Sequence, residues 1–521
     1  MLESRPLSAL GTANLAAVSL PAPPSASPSE LTQAPPDAGR PLGDLVRSLG
    51  QSSIDGDARI GITAVTYRSD EAIPGSLFFC VPGGSVDGHD FAGAAVEAGA
   101  AALVVERKLP YPVIQVLVPS VREAMGPISA EFCGRPSERL TMVGVTGTNG
   151  KTTTTYLLES VFRAAGLVPG VIGTTGVRID GTPEPFPRTT PEAPDLQRLL
   201  ARMVERGVHA VAMEVSSHGL HQHRVGGIRF GCAVFTNLTQ DHLDYHGTLE
   251  EYFHAKARLF DPAVADRAAV NWDSPEGRRL LRGDLPTLTY GVAEGADLRA
   301  TDVATSLDGL SFRVGDLVVR SRLRGEFNVS NCLAALAAAR QLGLPDEVAG
   351  RGVSDVAGVP GRLESVEEGQ DFLVVVDYAH TPDSLENVLA AARSLTEHGR
   401  VIVAFGCGGD RDRGKRASMG GVATRLADLT FITSDNPRSE DPVAIVREIE
   451  RGVVEGSAYV VEPDRRTAIG EAIREARAGD VVVIAGKGHE TGQEFADRTI
   501  PFDDRLVAAE ELRGMHYGVR P

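Results

Sequence analysis

"VTGTNGKTTT", residues 145–154, is the stretch on which the reading of this chain turns. It follows the apolar run "TMVG" and opens onto "TYLLESVFRAAG", so a buried strand runs into a glycine loop and then into a helix. In that context a glycine-rich loop cradles phosphates with its backbone amides, and the helix N-terminus adds a favourable dipole. Lys151 is placed to reach terminal phosphates, and the Thr152 hydroxyl to ligate Mg²⁺. The spacing departs from the usual G-x-x-x-x-G-K-[ST], because the fifth residue before Gly150 is Val145. A glycine turn with an incidental lysine is the bland alternative; the flanking strand and helix favour phosphate binding.

Downstream, the apolar strand "HAVAMEV" ends on Glu214, and a carboxylate beside a phosphate loop is a natural Mg²⁺ ligand. Ser216, His218, Gln222 and Arg224 follow as a polar cluster suited to an anionic, hydroxyl-rich substrate. A serine-capped helix start is the competing reading. After the strand "CAVFTNL" come Asp241, His242, Asp244 and His246. Most of these read as hydrogen-bonding loop residues, with His242 a candidate for the Mg²⁺ shell. Lys256 sits between apolar neighbours on the next helix, where a snorkelling lysine is the ordinary reading.

From "GVPGRLESV" onward, strands and helices alternate: "FLVVVD", helix 383–398, "RVIVAF", helix 416–427, "LTFIT", helix 441–452, "SAYVVE", helix 465–477, "DVVVIAG". Such alternation implies a parallel sheet with helices on both faces. Polar groups fall at the strand ends: Asp377 and His380 in "DYAHTP", Arg411 in "GCGGDRDRGKR", "DNPR" at 435–438, and "GKGHE" at 486–490. Ligands of open α/β sheets bind beyond the carboxyl ends of the strands, so four such loops point to one shared site.

The 521 residues divide into an α/β chain of three domains, each a mostly parallel sheet with flanking helices. We expect a disordered Pro/Ala-rich tail over 1–41 and domains over 42–139, 140–360 and 361–521, the central one carrying the phosphate loop and the last Rossmann-like. The net charge of −17 argues against nucleic-acid binding, which wants a basic footprint. The five cysteines form no CxxC pair and read as buried thiols of a reducing compartment. No apolar run spans a membrane and the N-terminus lacks a signal-peptide pattern, so a cytoplasmic location is expected.

"GTNGKTTT", "MEVSSHGL", "NLTQDHLDYHG", "GRLE", "DYAHTP" and "DNPR" together resemble the Mur ligases of peptidoglycan synthesis, over about residues 60 to 510. The resemblance is strongest to members that add the third residue of the peptide. It implies an enzyme with a UDP-sugar domain, a P-loop domain and a mobile C-terminal domain. ATP would phosphorylate the D-glutamate carboxylate of a UDP-N-acetylmuramoyl-dipeptide, and the amine of meso-diaminopimelate would attack the acyl phosphate.

By the same resemblance, ATP falls to Thr146, Gly147, Thr148, Asn149, Gly150, Lys151 and Thr152, with Asn328, Asn331, Arg362 and His380. Mg²⁺ falls to Thr152, Glu214, His242 and Lys256, the last as a carbamate. The catalytic set is Lys151, Lys256, Asp377 and His242. Ser69, Thr189, Thr190, Ser216, Gln222 and Arg224 match contacts to the UDP-muramoyl-dipeptide, and Arg411, Asp435, Asn436, Pro437, Arg438, Gly486 and Glu490 those to diaminopimelate.

One departure is Arg68-Ser69-Asp70, where the family carries Asp-Ser-Arg; an ion pair with its ends exchanged would preserve the geometry. Arg438 offers a planar fork for the distal carboxylate that lysine lacks. A monomer is expected. A lysine-adding Mur ligase, a folylpolyglutamate synthase-like amide ligase and a nucleotide binder without catalysis are the rival readings.

Overall fold

The computed structural model describes residues 39–515 apart from 85, 185–187, 307 and 397. The expected tail therefore lies almost wholly outside the described residues.

Three sheets organise the chain. The first has the order Ser53–Asp55, Ile114–Leu117, Ala102–Val105, Ser76–Phe79, Ala64–Thr66 and is parallel except for the pairing of its first two strands. Its inner strands Ser76–Phe79 and Ala102–Val105 are buried at every residue because both faces are covered. Leu77, Phe79, Val104 and Val116 are buried against Met125 and Ile128 of helix Val121–Phe132.

The second sheet has nine strands, with Thr141–Thr146 at its centre between Ala210–Glu214 and Cys232–Phe235. These three strands are parallel and in register, pairing Glu214 with Val145 and Phe235 with Thr146, so their loops emerge side by side. Helices Lys151–Ala164, Phe327–Gln341 and Asp346–Asp355 supply one apolar layer. Helix Ala193–Glu205 covers the opposite face. An antiparallel run over Pro169–Glu184 edges the sheet, and a small antiparallel sheet over Thr301–Ser321 stands apart from it. The sequence reading anticipated neither. Strand Thr301–Ser306 is exposed along its whole length, so no apolar alternation marked it.

The third sheet has the order Glu364–Ser365, Leu373–Asp377, Val481–Ala485, Val401–Phe405, Leu429–Ile432, Tyr459–Val461, all parallel except the first pair. Val481–Ala485, late in the chain, inserts between two strands that come much earlier. Its following loop is thereby flanked by the loops after Asp377 and Phe405. A two-stranded hairpin, Gly492–Glu494 with Thr499–Pro501, follows.

The cysteines are all free; Cys80, Cys232, Cys332 and Cys407 are buried, while Cys133 is half-buried. No helix among the described residues is long and apolar enough to cross a membrane.

Candidate active site

The phosphate loop is packed tightly enough to require its glycines. Gly150 has φ +86°, and a Cβ there would meet Asn331 Oδ1 at 2.3 Å. Asn331 in turn donates to Asn328 Oδ1 (2.8 Å), and Asn328 to the Arg324 carbonyl (2.7 Å). Lys151 Nζ donates to the carbonyls of Gly147 (3.0 Å) and Thr148 (2.8 Å). Burial lowers its pKa, against the pull of Glu214 and Asp241.

The Thr152 hydroxyl donates to Glu214 Oε1 at 2.9 Å and accepts from Arg362 Nη2 at 3.1 Å. The Glu214 carboxylate also accepts from the Thr174 amide (2.9 Å) and hydroxyl (3.0 Å). A hydroxyl and a buried carboxylate beside a phosphate loop are the oxygen donors Mg²⁺ takes together with substrate phosphates, so the set fits that ion. Lys256 is 1% exposed; its Nζ donates to the Gly147 carbonyl at 2.7 Å and lies 4.4 Å from the Tyr252 ring centre. Burial, reinforced by Lys151, lowers its pKa well below the usual value. The snorkelling reading of Lys256 is therefore overturned: its amine ends inside, at the phosphate loop.

Between the second and third sheets lies Asp241. Its carboxylate is 3.4 Å from His242 Nε2, 3.7 Å from His380 Nε2 and 3.8 Å from Lys415 Nζ. Burial works to raise its pKa, but His380, His242 and Lys415 outweigh it and hold the carboxylate below the usual range. His242, with φ +54°, is kept neutral by burial, its pKa pulled down to about 3. Lys415 is nearly buried at the start of helix Gly414–Leu426 and was not singled out in the sequence, where it reads as one basic residue among several.

Asp377 has both oxygens engaged, by the amides of Leu363 (2.8 Å) and Ala379 (2.8 Å). It is built to fix the loop that presents Arg362, whose guanidinium lies 4.7 Å from the Tyr378 ring centre. His380 Nδ1 sits 2.7 Å from the Tyr378 carbonyl.

The "DNPR" loop follows strand Leu429–Ile432. Asp435 Oδ1 accepts from the Asn436 amide (2.6 Å), and a Cβ on Gly486 would meet Asp435 Oδ2 at 2.5 Å. Asn436 donates to Glu490 (2.9 Å), and the fully buried Lys487 bridges Asn436 Oδ1 (2.9 Å) and Glu490 (3.0 Å). Pro437 carries the chain to Arg438, whose Nη1 donates to the Gly409 carbonyl (2.8 Å). Arg411 is more exposed and donates to the Asp410 carbonyl at 2.9 Å.

Beneath the loop, Arg465 is buried, pairs with Asp504 (2.7 Å) and donates to the carbonyls of Ser434 (3.1 Å) and Ala485 (3.0 Å). Lys487 was visible in "GKGHE"; Arg465 was not, since it opens what reads as a surface helix. Asp441 caps helix Pro442–Glu450, and the preceding Glu440 accepts from buried Arg416 at 2.8 Å.

A second polar group gathers around Thr190. Its hydroxyl donates to the Glu214 carbonyl (3.1 Å) and accepts from the Ser216 amide (3.0 Å). Arg224 donates to the Thr190 carbonyl (3.0 Å) and to Gln222 Oε1 (2.6 Å), and the Thr189 and Thr174 hydroxyls are 3.2 Å apart. Ser216 also caps helix Ser217–His221 through the Gly219 amide, so the helix-start reading holds alongside the cluster. Ser69 lies apart, on the first sheet's unit, half-buried at the start of a short 3₁₀ turn. Its neighbours Arg68 and Asp70 pair at 2.9 Å despite their exchanged order.

Three family models match the chain: the Mur ligase family catalytic domain over residues 61–132, the Mur ligase middle domain over 145–339, and the Mur ligase glutamate ligase domain over 361–488. A protein of Geobacillus thermodenitrificans named UDP-N-acetylmuramoyl-L-alanyl-D-glutamate–2,6-diaminopimelate ligase is 50% identical over 87% of this chain and 95% of its own length. One of the same name from Solibacter usitatus is 47% identical over 88% and 95%. A solved structure of a ligase of that name has a TM-score of 0.65 at 36% identity, covering 89% of this chain and 97% of that one. A MurF structure from Acinetobacter baumannii, at 18% identity and a TM-score of 0.62, covers 91% and 98% and shares the fold. With matches along all three sheets and relatives of this identity over nearly their full length, the chain belongs to the Mur ligase family.

Proposed function

We propose that the protein is an ATP-dependent, ADP-forming ligase that adds meso-2,6-diaminopimelate to UDP-N-acetylmuramoyl-L-alanyl-D-glutamate in peptidoglycan synthesis. One observation carries the reading. The third sheet presents Arg438 at the end of one strand while its first loop sends Arg362 to Thr152 of the phosphate loop. The loop that would bind the amino acid and the arginine that reaches the phosphate loop thus belong to the same sheet.

ATP phosphates lie on the amides of 146–152, flanked by Asn328, Asn331 and His380. The γ-phosphoryl passes to the D-glutamate side-chain carboxylate, giving ADP and an acyl phosphate. Lys151 and Arg362 neutralise the charge in flight, which together with positioning is most of what this transfer needs. The diaminopimelate amine attacks the acyl carbon, a tetrahedral intermediate forms, and its collapse releases phosphate and leaves the amide.

Thr152 and Glu214, with His242 and a carbamate on Lys256, would hold Mg²⁺, and the ion would supply charge neutralisation at the phosphates. Carbamate formation needs a neutral amine to attack CO₂ and lose a proton; burial and the neighbouring Lys151 lower the Lys256 pKa and so favour that form. Thr189, Thr190, Ser216, Gln222, Arg224 and Ser69 hold the nucleotide substrate. Glu490 and Gly486 contact an amino-acid centre of diaminopimelate, while Arg411 and Arg438 take carboxylates. ATP and a UDP-linked substrate favour work in the cytoplasm, and a monomer is the expected form.

Phosphate release with the dipeptide nucleotide, comparing meso-diaminopimelate with L-lysine, tests the reading. Strong preference for diaminopimelate is expected. Equal rates would overturn the specificity, and a preference for lysine would favour the lysine-adding alternative.

A further inference from the structure

We propose that Glu494 is a positioning residue of the amino-acid site, holding the Arg438 guanidinium in place for a second carboxylate and thereby enlarging the preference for diaminopimelate over lysine. The inference rests on the function proposed above for Arg438.

Arg438 has φ +52°, a conformation that L side chains adopt at a cost and that needs outside support. The support comes from strand Gly492–Glu494. The Arg438 amide donates to the Glu494 carbonyl at 3.0 Å, and the Glu494 amide donates to Asn436 Oδ1 at 3.1 Å. The buried Gln493 side-chain amide donates through Nε2 to the Asp435 carbonyl (2.7 Å) and to Ser434 Oγ (3.1 Å). The strand thus grips the loop from Ser434 to Arg438.

The side chain is held at the same place. Arg438 Nε donates to Glu494 Oε2 at 2.8 Å and Nη1 to the Gly409 carbonyl at 2.8 Å, while Nη2 has no partner among the described residues. The opposite wall is glycine by necessity: a Cβ on Gly409 would meet the Pro437 carbonyl oxygen at 1.8 Å. A Cβ on Gly408 would fall 3.0 Å from Arg438 Nη1 and 3.7 Å from Arg411 Cγ, so both arginines pass close to it.

An arginine side chain loses considerable rotamer freedom when it engages a ligand; one already held by two hydrogen bonds has lost much of it beforehand. The Glu494 side chain is 50% exposed and that of Arg438 23%, so the ion pair adds little to fold stability. Its geometry points to orientation instead. Lysine has no distal carboxylate for Arg438 to meet, so it draws no benefit.

The test is steady-state kinetics of the full-length enzyme with ATP, the dipeptide nucleotide, and meso-diaminopimelate or L-lysine. In Glu494→Ala the KM for meso-diaminopimelate should rise roughly tenfold, with kcat within about twofold and the KM for ATP unchanged. Glu494→Gln, which keeps an oxygen for Nε, should show a smaller rise. Use of lysine should stay constant in both, so the discrimination ratio falls. An unchanged or lowered KM for diaminopimelate in Glu494→Ala overturns the proposal, a lowered one meaning that the carboxylate masks Arg438. A parallel rise in the KM for ATP with loss of thermal stability overturns it too, as a structural effect. Failure of the underlying reading is distinguishable: the unaltered enzyme would then show no preference for diaminopimelate.

Discussion

Arg362 Nη2 lies 3.1 Å from the Thr152 hydroxyl, and this contact ties the first loop of the third sheet to the phosphate loop of the second. Asn149 adds a bond to Asp383 at 2.8 Å, and His489 approaches the Thr174 carbonyl at 3.3 Å. The arginine belongs to the C-terminal unit, so on the reading proposed above its charge reaches the phosphate loop from the third sheet.

Arg362→Ala should therefore lower kcat/KM by about 10² to 10³, the scale of losing one preorganised charge at a transferring phosphoryl group. Arg362 is only half-buried, so its loss should leave the fold intact. Phosphate release measures the first effect and thermal denaturation the second. A loss of less than about fivefold would take Arg362 out of the transfer step.

Lys256 supports a second prediction. Its amine is buried against the Gly147 carbonyl and its pKa is lowered by that burial and by Lys151. Exhaustive removal of CO₂ should abolish most activity, and bicarbonate should restore it. Lys256→Ala should be slower by roughly 10² or more and indifferent to bicarbonate. Full activity of the CO₂-stripped enzyme would rule out the carbamate.

Arg438→Ala should raise the KM for meso-diaminopimelate about a hundredfold, the order expected for losing a bidentate charge-assisted pair. The KM for ATP should not move. Arg438→Lys should recover only part, because an ammonium cannot reproduce the fork. Unaltered diaminopimelate kinetics in Arg438→Ala would remove the residue from the site.

Stability should fall in mild acid. Burial pulls the pKa of His246 and of His489 down to about 4. In the unfolded chain each titrates near 6.5. Between about pH 6.5 and 4 the unfolded state binds more protons, so stability rises with pH there and is lost as pH falls. The lowered pKa of Asp241 acts in the same direction but only below the ordinary aspartate range. The Tm measured from pH 7 to 4.5 should drop, and the drop should be shallower in His489→Gln. An identical slope would exclude His489 as a contributor.

Much of the site was legible in the chain because its signals are local. A glycine loop between an apolar run and a helix identifies Lys151 and Thr152, and a carboxylate closing an apolar strand identifies Glu214. Apolar runs ending in polar knots likewise located Arg411, the 435–438 loop and Glu490. The pattern alone left Lys256 open: a lysine among apolar neighbours looks the same whether its amine escapes to water or ends inside, and only the family resemblance singled it out. Arg465 and Lys415 were missed because a charged residue near a helix start carries no mark of which way it faces.

By itself, then, the sequence determined the α/β class, the phosphate loop and the strand-end position of the loops at Arg411, 435–438 and 486–490. Backbone sterics and hydrophobic periodicity act over a few residues and can be read there. Only the tertiary structure decided that Val481–Ala485 inserts between Leu373–Asp377 and Val401–Phe405. It likewise brought Lys487 and Glu490 to Asn436, Lys415 to Asp241, and Glu494 to Arg438. Those meetings depend on which apolar faces bury one another across long separations, and strands of nearly interchangeable Val, Ile and Ala carry no local record of their neighbours.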